Sequence, residues 1–220
     1  MDRSSRVWAA RAGVVGPIAL AVYFVAPAAL GWPYSGGAPG TIAAFAQSHE
    51  ALFYAGAWLQ ATGTLLSVVL FLALVKLAAP GGSVAGLVVV VGSAALLAVV
   101  LVEAAFLVAV PLAAAAGDDA TVATAFAMSN GVFVRIFPLA PASATLIALG
   151  LVLRAAGLLD RRLATAAIAL GFGFEVAGIV AIVSVAGVAA VIVLSVGQAA
   201  WTLVAGVALL RDRTGANAGG

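Results

Sequence analysis

Three ionisable side chains lie inside stretches otherwise built from Ala, Val, Leu, Gly and Ile: Glu103, Arg135 and Glu175. A charge in an apolar run is costly to bury, and by default it marks a proton relay, an ion path or a ligand counter-ion. Two carboxylates and a guanidinium are the parts of a proton or cation relay, or of an anchor for a cationic or polar substrate. They are equally the parts of a structural ion pair that fixes helix register. An Arg between two Glu leaves one negative charge uncompensated unless one carboxyl keeps its proton, the form that burial favours. A further reading has Arg135 snorkelling outward to lipid headgroups.

Neutral polar residues form stripes beside these charges. Gly56, Gln60, Gly63, Thr64 and Ser67 recur at helical spacing, as do Ser195, Gln198 and Thr202. Residues three and four apart share a helix face, so Gln60 and Gln198 join the intramembrane polar set as linings of an aqueous path. The competing reading is close packing with interhelical hydrogen bonds, worth about 0.6–2 kcal/mol each. Gly171, Glu175 and Gly178 also share a face, where the glycines let another backbone approach the carboxylate. His49 and Glu50, with Asp118 and Asp119 in a second loop, make a weak candidate cation site, although acidic residues there also suit helix N-termini.

Other chemistry is excluded by missing parts. There is one His and no Cys, hence no HExxH zinc helix, thiolate site or disulfide. GFGFEVAG lacks the third glycine of a dinucleotide loop, no Walker loop occurs, and Ser129 and Ser143 have no Gly-x-Ser-x-Gly context. No metal and no cofactor are expected.

The elements that must position these residues follow from composition. Of 220 residues, 65% are hydrophobic and 8% charged, with a mean hydropathy of +1.24. A soluble domain carries about 25% charged residues, so the apolar surface of this chain is expected to face lipid. A spanning helix needs roughly 20 mostly apolar residues. Six such stretches are predicted, over about 12–31, 51–75, 84–112, 131–153, 163–184 and 188–210, giving an all-α bundle in one integral membrane domain. A single helix over the last two would be about 72 Å long, so a turn near Ser184–Gly187 is expected. Thr41 and Asp118 or Asp119 are read as caps of two short interfacial helices outside the spans, and Pro138 and Pro141 as a kink in span four. By residue rise, Glu103 and Glu175 lie about 15 Å below the outer boundary and Arg135 is shallower, so the three can meet.

With six spans, Arg3, Arg6, Arg11, Lys76, Arg154, Arg161, Arg162, Arg211 and Arg213 all fall on one side. This is the positive-inside pattern, with both termini cytoplasmic; a nucleic-acid surface is not expected. Trp8, Trp32, Tyr34, Tyr54 and Trp58 lie near predicted interfaces, where aromatic anchors belong. An alternative treats Arg3–Arg11, the apolar stretch and Ala26-Pro27-Ala28 as a cleaved signal peptide, leaving five spans.

SHEALFYAGAWLQ at the start of span two and GLLDRRLATAAIALGF between spans four and five resemble a group of uncharacterised six-span bacterial membrane proteins, the DUF4386-like domain of unknown function. The resemblance implies a six-helix bundle in a bacterial plasma membrane and carries no activity or site residues. This chain has Asp-Arg-Arg where a Pro-Arg pair is common in that group. Three functional readings stay open. One is a structural or accessory membrane protein that assembles with itself or a membrane partner. Another is a small proton-coupled transporter or permeation unit using Glu103, Arg135 and Glu175, its small-molecule ligand unknown. The least favoured is a membrane enzyme built on His49.

Overall fold

A computed structural model describes residues 2–33 and 37–216, and every regular element among them is helical. Tyr34 lies outside the described residues. The helices are α1 (Arg3–Ala29), α2 (Pro39–Ser48), α3 (Glu50–Ala78), α4 (Val84–Ala115), α5 (Asp119–Gly131), α6 (Ser143–Ala156), α7 (Arg161–Ala181) and α8 (Val185–Ala216). Two π-helical turns, Val132–Ile136 and Pro138–Ala142, join α5 to α6. Six segments are long and apolar enough to cross a membrane: four within α1, α3, α4 and α7, the continuous α5–α6 segment, and one within α8.

The spans form a closed ring. α1 packs on α3, α3 on α4, α4 on α6, α6 on α7, α7 on α8, and α8 returns to α1. Close approach comes from glycine at the crossings. A Cβ on Gly63 would meet the Gly16 carbonyl oxygen at 2.9 Å, and one on Gly150 would meet that of Ala164 at 2.6 Å. Small residues at helix contacts allow backbones to touch, and in lipid such packing replaces the hydrophobic drive that water provides. Leu70, Phe71, Leu146, Leu149, Phe174 and Trp201 fill much of the interior, and the Trp201 indole donates to the Leu163 carbonyl across the α7–α8 contact at 2.9 Å. Apolar side chains also cover the outside: Val84 is 81% and Val183 85% exposed. A helix bundle apolar both inside and out is built for lipid.

One end carries a cap made from α2, α5 and the adjoining ends of α3 and α4. Ile42, Phe53, Leu107, Val122 and Phe126 are its buried centre, and the Trp32 ring lies 4.7 Å from Phe53 and 5.8 Å from Phe126. Trp32 is therefore a packing residue of the cap, whereas Trp8 and Trp58 are exposed as interface anchors would be.

Several expected boundaries move. α1 begins at Arg3, nine residues before the predicted span. α2 starts at Pro39 with Ala38 as its N-cap, so Thr41 lies inside the helix and caps nothing; proline pre-sets the φ of a first helical turn. Asp118 does cap α5, its carboxylate accepting from the Thr121 amide at 3.0 Å and the Thr121 hydroxyl at 2.6 Å. These bonds hold the Asp118 carboxyl below its usual range. The helix it starts is not a separate interfacial piece, because it runs without a break into span four. The kink expected at Pro138 and Pro141 takes the form of the two π turns. There the Ser143 hydroxyl lies 3.0 Å from the Leu139 carbonyl and 2.7 Å from the Glu175 carboxylate, so its single proton is shared between a helix acceptor near the prolines and α7. The turn between α7 and α8 ends at Ser184, and Gly187 is required just after it: a Cβ there would lie 2.2 Å from the Ala181 nitrogen.

Candidate functional site

Glu103 lies on α4, about 18 Å in from Ala115 at the helical rise. It is 2% exposed. Its neighbours are neutral: the Tyr23 hydroxyl of α1 donates to Oε1 at 3.3 Å, and the Gln60 side-chain amide of α3 donates to Oε2. Buried ionisable groups need partners. Here both are donors without charge, so among the described residues no cation holds the carboxylate permanently ionised.

Gln60 is also a wall of a chamber in the middle of the ring. The chamber measures about 30 Å³, room for about two water molecules. Its polar lining is Gln60, Thr64 and Ser67 of α3 with Ser195 and Gln198 of α8; aromatic and aliphatic side chains close the rest. The Ser67 and Ser195 hydroxyls each donate to a carbonyl of their own helix at 2.8 Å, Gly63 and Val191 respectively. A hydroxyl that has given its proton still has lone pairs to offer. The amide oxygens of Gln60 and Gln198 are buried with no hydrogen-bond partner among the described residues. The wall thus carries two acceptors that no described residue satisfies.

The other predicted residues are elsewhere. Glu175 is half-buried on α7 and accepts from the Ser143 hydroxyl at 2.7 Å. Gly171 and Gly178 flank it as the shared face requires, their positions pressed against the Ser143 carbonyl oxygen and against Pro138 and Leu139. Arg135 is exposed and lines a separate cleft of about 410 Å³ with Asn130, Val134, Ser184 and Val188, beside the α7–α8 turn. Among the described residues no ion pair joins it to Glu103 or Glu175. The three charges expected to meet at one depth are therefore on three different parts of the ring.

The outer cluster does not assemble either. The His49 ring stacks on Phe45 at 4.2 Å, and its Nδ1 lies 3.1 Å from the Ser48 hydroxyl and 3.2 Å from the Phe45 carbonyl. Asp118 is spent on its helix cap. Among the described residues, no group of three His, Cys, Asp or Glu side chains is placed to hold a metal.

Sequence reasoning passed over Tyr23 as a partner of Glu103. Its signal was a lone phenol deep in an apolar span, a group that needs a polar partner when buried. No known protein family, curated protein or solved structure matches this chain.

Proposed function

We propose that the protein is a small proton-coupled transport or permeation unit of a bacterial plasma membrane, with its arginine-bearing helix ends in the cytoplasm and Glu103 as the group that carries the proton. The observation behind this reading is a deeply buried carboxyl held by neutral donors, one hydrogen bond from a small chamber that carries polar groups of α3 and α8. An arginine partner would lock the carboxylate in its ionised form; Tyr23 and Gln60 do not. A glutamine amide serves both protonation states, because its NH₂ donates to a carboxylate and its oxygen, after the amide turns, accepts from a carboxylic acid. Glu103 can therefore gain and lose a proton while keeping a satisfied partner.

The decisive experiment places the purified protein in liposomes with sodium and potassium salts present and follows an imposed pH gradient with an entrapped dye. Wild type and Glu175→Gln are expected to dissipate the gradient, and Glu103→Gln to lose that activity at least tenfold. Absence of flux in the wild type, or undiminished flux in Glu103→Gln, would overturn the reading. The second reading, a structural or accessory membrane protein, is favoured by the small chamber volume and by the apolar side chains that pack much of the remaining centre. It is the reading left standing if no flux is seen.

A further inference from the structure

We propose that the central chamber binds one dehydrated monovalent cation, an alkali-metal ion or ammonium, coordinated by the side-chain oxygens of Gln60 and Gln198 with Ser67 and Ser195. The inference rests on the reading of Glu103 as the site's exchangeable charge and names the ligand class that this charge would serve.

Four observations converge on it. Gln60 and Gln198 are 3% and 7% exposed, both line the chamber, and both have an amide oxygen without a partner among the described residues. Orphaned buried acceptors are rare and call for an explanation. The Gln60 amide nitrogen is committed to Glu103, so its oxygen is the end left for the chamber. The serine hydroxyls give their protons to carbonyls of their own helices, which leaves oxygen lone pairs as what they can offer a ligand. Finally, among the described residues no Lys or Arg lines the chamber, and the Glu103 carboxyl is one hydrogen bond away through Gln60. Uncharged side-chain oxygens from α3 and α8, set in an otherwise apolar lining with a carboxylate behind Gln60, suit a hard monovalent cation, which prefers oxygen ligands. The volume of about 30 Å³ admits a bare ion of that kind.

The same geometry links the cation to the proton. With Glu103 ionised, Gln60 turns its NH₂ to the carboxylate and its oxygen to the chamber. With Glu103 protonated, the amide is reversed, so an oxygen ligand is replaced by N–H donors and the nearby negative charge is gone. Tyr23 is the other titratable side chain bonded to Glu103; Arg135 and Glu175 belong to other parts of the ring.

Thermal unfolding of the detergent-solubilised protein tests this at one pH. NaCl, KCl and NH₄Cl are compared with N-methylglucamine chloride at equal ionic strength. At least one small cation is expected to raise the Tm by about 3 °C or more at saturation, and the arms tell alkali ion from ammonium. Gln198→Leu should abolish the cation-specific shift, and Glu103→Gln should raise the half-effective concentration at least tenfold. If Gln198→Leu does not fold, Ser195→Ala should raise that concentration at least threefold. Equal Tm in all four salts, an undiminished shift in Gln198→Leu, or, where that variant does not fold, an unchanged half-effective concentration in Ser195→Ala, overturns the proposal. A cation shift without proton flux keeps the cation site and removes the transport reading; flux without a cation shift does the reverse.

Discussion

Glu103 and Glu175 are both single carboxyls in apolar helices, but their surroundings differ. Glu103 faces inward, is nearly inaccessible and accepts from two side chains on two other spans. Glu175 is half-buried and accepts from one hydroxyl, which is itself occupied with its own helix. The first is tied into the centre of the ring; the second is a local contact between α7 and the α6 start. The same residue type thus acquires different physical stakes from the helix face it occupies. Removing a buried partner costs most when several groups are left unsatisfied.

That difference can be broken by substitution. Glu103→Leu strands the Tyr23 hydroxyl and the Gln60 amide and is expected to cost about 1–3 kcal/mol; Glu175→Leu frees only Ser143, which keeps its carbonyl, and should cost under about 1 kcal/mol. Unfolding in detergent or mixed micelles measures both, and equal losses would erase the distinction between the two sites. Arg135→Leu sharpens the contrast at a smaller scale. Arg135 shares no partner with Glu103, so the double variant Glu103→Leu/Arg135→Leu should equal the sum of the singles within about 0.5 kcal/mol. A larger coupling would mean that they pair. The smallest effect belongs to the cap. The Asp118 carboxyl is held low by Thr121, so its contribution is complete above the ordinary aspartate range and fades as pH falls through the lowered value. Amide exchange at Thr121, corrected for its intrinsic pH dependence, should lose protection in acid, and Asp118→Ala should lose it at neutral pH while leaving the Glu103 site unchanged.

The span count was legible because length and apolarity are one-dimensional properties. Each of the six spans contains a stretch long and apolar enough to cross a membrane, and the α7–α8 turn had to fall where the small residues are. The stripe of Gln60, Thr64 and Ser67 was also legible, since helical spacing puts those residues on one face and that face proved buried. The encounter of Glu103, Arg135 and Glu175 was not. Residue rise gives depth along a span, but which way a side chain points around the ring depends on neighbours far away in sequence. Arg135 sits in a π turn, whose wider winding also spoils any bearing taken from a 3.6-residue period. The prolines announced a disturbance without specifying its form. Gln198 was visible as a polar residue in span six, but its meeting with Gln60 required the ring to close through α1 and α8.

The two π turns between α5 and α6 have a consequence for how this segment tolerates change. A π turn takes up about one residue more than an α turn, so the bearing of everything after it depends on the residue count within 132–142. Deleting a single residue there would rotate α6 by about 100°. Hydropathy would hardly alter, yet Ser143 would swing away from Glu175 and Thr145 away from its seat against Gly92. Within this stretch, apolar exchanges should be absorbed, while insertions and deletions should scramble how half the ring interlocks.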